Sequence, residues 1–342
     1  MSQLDIITSL PTSVWCSVLR DWLRLKSVVA LDSAYCCKAN RTFFEELLQS
    51  DEYFVREKVI FPSNSEDLHG ILMFGGKIRC MDLCGATLSK STLAAVQRFC
   101  PNLISLDLAD TSVDKPWNDD ALNELTAACP HILHLDIGSA FYYEGSSELT
   151  DSSILAIVQN LKGLQSLSME SNYTFTFASS VHIYTHCANT LQTLRLSYVS
   201  YMREDDVTAF NTLFERCTQL RYLYFTNWCE DTSFDAHITL PATTLKNLTT
   251  LILAGCVVCE RNLNAIRNYG SNLQHLALLN RSVDYVSPSL LEGCPKLVGL
   301  YLDPGPTISM DLSVFTRDGL TVSSDLPEHF QMFNVPTLVL DT

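Results

Sequence analysis

The chain has 342 residues, of which 47% are hydrophobic and 18% charged, so it has the material for an extensive core and is not a solvated tail. Its net charge of −15 comes without a Lys/Arg cluster, which excludes the counterion-releasing surface that nucleic-acid binding requires. The first residues have no basic n-region, and no apolar run reaches the roughly 18–20 residues that span a bilayer, so the expectation is a cytoplasmic or nuclear protein with free thiols.

From the N-terminus, Leu10-Pro11-Thr12-Ser13-Val14 opens a run in which Val14, Val18, Leu19, Trp22 and Leu23 are spaced for one helical face. Leu25, Val28, Val29 and Leu31 form a second apolar group, and Phe43, Phe44, Leu47 and Leu48 a third. Residues 8–50 therefore read as a small helical domain, too small to be very stable without a partner. A second reading is open at this point: the helices cap the first unit of whatever follows, as every stacked array requires. Across residues 51–77, Ser65-Glu66-Asp67-Leu68 looks like a helix start and Gly75-Gly76 a stop, so this segment reads as a helical joint.

From residue 78 a repeat takes over. Cys100-Pro101-Asn102-Leu103-Ile104-Ser105-Leu106-Asp107-Leu108 returns as Cys129-Pro130-His131-Ile132-Leu133-His134-Leu135-Asp136-Ile137 and as Cys294-Pro295-Lys296-Leu297-Val298-Gly299-Leu300-Tyr301-Leu302. Looser copies centre on Ile78-Met81-Leu83, Leu164-Leu167-Met169, Leu191-Leu194-Leu196, Leu220-Leu223-Phe225, Leu248-Leu251-Leu253, Leu273-Leu276-Leu278 and Val335-Leu338-Leu340. Most intervals run from 24 to 29 residues, with longer ones of 32 and 38, which is the leucine-rich-repeat period of one strand and one helix per unit. The last two apolar residues of L-x-x-L-x-L lie two apart and face the core, while the residue between them faces outward. Helices are expected over Leu88–Phe99, Asp119–Ala128, Thr150–Asn160 and Arg203–Arg216. The fold class is thus α/β: a leucine-rich-repeat solenoid over residues 78–342, with parallel strands on the concave face and helices on the convex face.

Chemistry-bearing motifs are few. His182 and His186 share a helical face but lack the Glu of H-E-x-x-H and a third ligand, so they read as a solvent-facing pair. Cys256 and Cys259 have zinc spacing but no second C-x-x-C, and with the leading Cys100, Cys129, Cys217 and Cys294 they read as small core residues. Repeats four and five replace the leading Cys by Leu161 and Ala188, and later ones by Leu245 and Gly270. The pairs Asp119-Asp120 and Asp205-Asp206 sit at helix starts, where they complement the dipole. With no P-loop, no G-x-S-x-G and no G-x-G-x-x-G, the expectation is a non-enzyme with no cofactor and no metal site.

Binding is expected instead at two features. The outward strand positions place Asp82, Asp107 and Asp136 in a column, and residues 104–151 hold ten Asp or Glu against one Lys, which suits a basic partner segment. Beyond the strands lie long aromatic segments with Trp117, Phe141, Tyr142, Tyr143, Tyr173, Phe175, Tyr201 and Trp228, which with the outward-facing Tyr224 are candidate interface anchors.

The Cys-Pro-x-Leu-x-x-Leu-x-Leu pattern resembles the cysteine-containing repeats of the F-box/leucine-rich-repeat family over about residues 78–340. The order Leu10-Pro11, an apolar helix, Trp22-Leu23, then Leu25-x-Ser27-Val28-Val29 and Ala34-x-Cys36-x-x-x-x-Arg41, resembles the F-box itself. The resemblance implies that Leu10, Pro11, Val14, Leu19, Leu23, Leu25, Val28 and Leu31 supply the apolar positions that pack the small domain or face the adaptor subunit of a cullin–RING ubiquitin ligase. It implies that the repeats capture a protein substrate. The alternative is a leucine-rich-repeat scaffold with a helical cap and no ligase.

Overall fold

The computed structural model describes residues 59–60 and, between 75 and 323, all but 89, 114–117, 139–148, 170–175, 199–203, 228–238, 255–259, 280–286, 303–311, 313–314 and 316. The expected helical domain of residues 8–50, the C-x-x-C at Cys256 and the tenth copy at Val335-Leu338-Leu340 lie outside the described residues.

In each described copy of the repeat, from Met81-Asp82-Leu83 to Leu300-Tyr301-Leu302, a short strand forms, and further short strands lie beside them. In chain order these are β1 (Val59–Ile60), β2 (Cys80–Asp82), β3 (Thr87–Leu88), β4 (Ser105–Asp107), β5 (Ser112–Val113), β6 (His134–Asp136), β7 (Ser166–Met169), β8 (Thr193–Tyr198), β9 (Tyr222–Asn227), β10 (Thr250–Ala254), β11 (His275–Leu279), β12 (Gly299–Leu302) and β13 (Thr321–Ser323). All but β3 and β5, which pair with each other, form one 11-stranded sheet in sequence order, and every pairing is parallel. The register carries the repeat across the sheet without a slip: Met81, Leu106, Leu135, Leu167, Leu194, Leu223, Leu251, Leu276 and Leu300 form one row of partners that ends at Val322.

Parallel neighbours need a crossover, and helices supply it. They are α1 (Lys90–Phe99), α2 (Asp119–Ala128), α3 (Asp151–Asn160), α4 (Phe177–Cys187), α5 (Glu204–Arg216), α6 (Ala242–Leu245), α7 (Glu260–Tyr269) and α8 (Leu290–Gly293). The four helices expected from periodicity are present, with starts that differ by two residues at most. No described helix is long and apolar enough to cross a membrane.

The core lies between sheet and helices. In the nine copies from Ile78 to Leu302, all three apolar positions are at most 5% exposed. Burying each such leucine side chain contributes about 1.5–3 kcal/mol, and no unit buries its apolar face without a neighbour. Phe210 and Phe214 of α5 meet Phe225 of β9 edge-on, at centroid distances of 5.2 and 6.4 Å. This is therefore a leucine-rich-repeat solenoid, as its periodicity predicts.

Three details correct the sequence reading. Cys187, not Ala188, fills the cysteine slot of the fifth copy and is fully buried, while Ala188 is only partly so. The backbone N–H of Leu191 bonds to Cys187 O, so this turn holds one residue more than the turn in which Leu103 bonds to Cys100 O. Second, the 38-residue interval after Leu297 conceals β13, whose Val322 pairs with Leu300. Arg317 stands ahead of it and donates to the carbonyls of Cys294 (2.8 Å), Leu291 (3.4 Å) and Leu297, tying this unit to the one before. Third, the segment read as a helical joint contains β1, which extends the sheet past β2, and a 3-10 turn at Gly75–Lys77.

Candidate functional site

Strand alternation sends one set of side chains to the core and the other to the opposite face of the sheet. Along the centre of that face the register aligns Asp82, Asp107, Asp136, Ser168, Arg195, Tyr224, Ile252, Ala277, Tyr301 and Ser323. The expected aspartate column therefore exists as a physical row.

Its accessibility differs from the expectation of an open face. Asp107 is 5% exposed, Asp136 3%, Arg195 3% and Ile252 1%. Asp82 and Tyr224 keep partial exposure. Ile252, Ala277 and Tyr301 form a second apolar cluster with Tyr222, Tyr224 and Leu279, on the side of the sheet away from the main core. Arg195 lies over the Tyr224 ring at 4.9 Å, a cation–π contact in which the aromatic face meets a desolvated charge.

Each aspartate of the column also has local work. Asp82 Oδ1 accepts from the Cys84 N–H at 2.9 Å, Asp107 Oδ1 from Ala109 at 3.0 Å, and Asp136 Oδ1 from Gly138 at 2.6 Å. A short acidic side chain that bonds the N–H two residues on stabilises the turn that leaves the strand. Gly85 (φ 68°) and Asp110 (φ 54°) occupy equivalent places in these turns, in the left-handed region that Gly and Asp adopt most readily.

The acidic end of the row changes the chemistry of Cys84. Loss of solvent, followed by the charges of Asp107, Asp82, Asp110 and Asp136, pushes its thiol up to about 11. Ligand atoms of Asp82, Cys84 and Asp107 lie within 4.8 Å of one another, but a thiol so placed stays protonated and is a poor nucleophile at neutral pH. Two residues before Asp136, His134 is 7% exposed and its Nδ1 has no hydrogen-bond partner among the described residues. Burial lowers its pKa, so the imidazole is held neutral.

On the helical side, Asn118, Thr150 and Thr176 cap α2, α3 and α4, accepting from Ala121, Ser152 and Ala178 respectively. Asp119 accepts the Thr150 N–H at 2.8 Å, its hydroxyl at 2.7 Å, and the Ser153 hydroxyl. One repeat later, Asp151 does the same for Thr176 (2.8 and 2.6 Å) and Ser179. The sequence reading assigned Asp119 to its own helix dipole and missed this bond to the next helix. The signal was a Thr-x-x-Ser start in two successive repeats, each preceded one repeat earlier by an Asp in the first helical turn. His182 and His186 lie on α4 as expected, and both are half-buried, so neither is fully in solvent.

Of the aromatic candidates, Trp117, Phe141, Tyr142, Tyr143, Tyr173, Phe175, Tyr201 and Trp228 lie outside the described residues, as do Leu10, Pro11, Val14, Leu19, Leu23, Leu25, Val28 and Leu31.

No family model matches the chain, and no curated protein does. Solved structures do. The yeast Rad7 and Elc1 complex is matched at 15% identity over 91% of each chain, with a TM-score of 0.42. An internalin, inlF, from Listeria monocytogenes is matched at 16% identity over 82% of each chain, with a TM-score of 0.41. A TLR13–ssRNA13 complex is matched at 16% identity over 78% of this chain and 35% of that one, with a TM-score of 0.46. The fold assignment stands on the register and the buried repeat positions.

Proposed function

We propose that this chain is a non-catalytic binding scaffold that recruits a protein target to a cullin–RING ubiquitin ligase. The observation that carries the binding part is the unbroken 11-strand register: it lays side chains from successive repeats in continuous rows, which suits an extended protein partner better than a small substrate. The polar residues with the most suggestive chemistry, Asp82, Asp107 and Asp136, shape turns.

The ligase part rests on the F-box resemblance of residues 10–41, with Leu10, Pro11, Val14, Leu19, Leu23, Leu25, Val28 and Leu31 as adaptor-facing or domain-packing residues. In this reading the repeats hold the target, the N-terminal residues hold the ligase adaptor, and effective concentration does the rest. Asp82 and Tyr224, two partly exposed members of the central row, and the aromatic segments from Trp117 to Trp228 are the residues assigned to target binding.

Co-purification tests it. The full chain should associate stably with the adaptor subunit, and changing Leu10, Pro11 and Leu23 to charged residues should abolish that association while leaving the repeats folded. Failure of the intact protein to bind the adaptor would leave a repeat scaffold with no ligase link. For the target side, Tyr142→Ala with Tyr143→Ala should weaken capture without loss of helical content; unchanged capture would remove those residues from the site.

A further inference from the structure

At the N-terminal end of the strands, the units of β9 to β12 form an open groove of about 330 Å³. Its side chains come from two rows that the repeat generates. Asn247, Asn272 and Lys296 precede the first leucine of their copies, and Arg221, Thr249 and Gln274 follow it. Every lining residue is polar, two are cationic and none is acidic. On a chain of net charge −15, an acid-free groove with two cations is out of keeping with its surroundings.

The floor is already ordered. Asn247 Nδ2 donates to Thr218 O at 2.8 Å, Asn272 Nδ2 to Lys246 O at 2.6 Å, and Thr249 Oγ1 to Arg221 O at 3.0 Å. Lys296 Nζ donates to Asn272 Oδ1 at 2.7 Å, which fixes the ammonium at one end. At the other end Arg221 is exposed, and its guanidinium makes no hydrogen bond or ion pair with any described residue. Carboxamides offer both donors and acceptors to a peptide backbone, and an unengaged guanidinium is the group best shaped to grip a carboxylate or phosphate.

We propose that this groove binds an extended peptide segment bearing two anionic side chains, one on Arg221 and one on Lys296. The spacing follows from the sheet. Arg221 and Lys296 belong to units three strands apart, about 14 Å at the usual strand separation, and an extended chain covers that distance in roughly four residues. The ligand is therefore an acid-x-x-x-acid segment, with the acid a glutamate, an aspartate or a phosphorylated residue. Single-stranded nucleic acid fits less well, because it binds through several phosphates and stacking aromatics, and this groove has two cations and no aromatic side chain. The inference is independent of whether residues 8–50 hold a ligase.

The test is fluorescence anisotropy of the full-length protein with labelled peptides in a neutral Ser/Gly background. These carry two glutamates, or two phosphoserines, separated by zero to six residues, with a two-glutamine control and an oligouridine of matched charge. Binding should peak near three intervening residues and weaken about tenfold or more in Arg221→Gln and in Lys296→Gln, each of which removes one charged contact. A stronger phosphoserine series would identify the acid as phosphate, and equal series as either oxyacid. Both residues are exposed, so the variants should keep the parent melting temperature, and comparison is made at matched folded fraction. The proposal is overturned if no spacing beats the glutamine control, if both variants bind as the parent does, or if oligouridine binds as well as the best peptide.

Discussion

Asp119, in the first turn of α2, accepts both the backbone N–H and the hydroxyl of Thr150, the residue that caps α3 of the following repeat. A side chain at one helix start thus orders the next helix start. Asp151 and Thr176 repeat the arrangement, so a ladder of carboxylates joins α2, α3 and α4.

Asp119→Ala removes acceptors for Thr150 and Ser153 together, and should cost about 1–2 kcal/mol in chemical denaturation. Thr150→Ala should cost a similar amount. The double variant should fall short of the sum, because the two residues share one set of bonds. Strict additivity would remove the ladder as a cooperative tie.

The same carboxylate links stability to pH. Burial works against its charge, but hydrogen bonds from Ser153 and Thr150 outweigh burial and lower its pKa below 3.8. The folded state therefore binds its proton less readily than the unfolded state. The stabilisation is fully present above about pH 4 and is lost as pH falls through the lowered value. Denaturant titrations from pH 5 to pH 2.5 should show a shallower acid loss in Asp119→Asn than in the parent.

Gly293→Ala should be severely destabilising. A Cβ there would stand 1.8 Å from the Arg267 carbonyl oxygen, so α8 must move away from α7. Overpacking of this kind costs about 1–3 kcal/mol or more, and it should show as a lowered denaturation midpoint. Gly76→Ala, which meets nothing within 4 Å, is the control and should be close to neutral.

Phe214→Ala should cost about 3–5 kcal/mol, since it empties a fully buried site between Phe210 and Phe225. Because each unit leans on its neighbours, hydrogen exchange should quicken first in β8 and β9 and then outward. Uniform acceleration across the sheet would contradict nearest-neighbour stacking.

The cysteines should report folding directly. Burial pushes Cys100 and Cys217 up to about 12, and Cys129, Cys187 and Cys294 to about 11. None should react with iodoacetamide at pH 7.5 until the chain unfolds, because thiolate and access are both lacking. Cys84 keeps surface exposure, but partial loss of solvent and then the acids around it hold its thiol protonated, so it should react slowly, and faster in Asp107→Asn.

The repeat, its strand positions and its core were legible in the sequence because alternation in a strand has period two. A leucine two residues from another must share its face, whatever surrounds it. Met81, Leu106, Leu135 and the rest of that row needed no tertiary information to be placed, and Asp119–Ala128 and Thr150–Asn160 announced themselves by spacing and caps. What the tertiary structure decided depends on what stands one repeat away. Whether Cys187 or Ala188 fills the core, whether Asp107 is accessible, and whether Asp119 serves its own helix or the next are set by neighbours some 25 residues distant in sequence. The strand at Thr321–Ser323 escaped notice because Gly319 and Val322 carry too little of the leucine pattern, and pairing with Leu300 makes up for it. The polar groove from Arg221 to Lys296 belongs to no single motif, and only stacking brings its two charges to opposite ends of one surface.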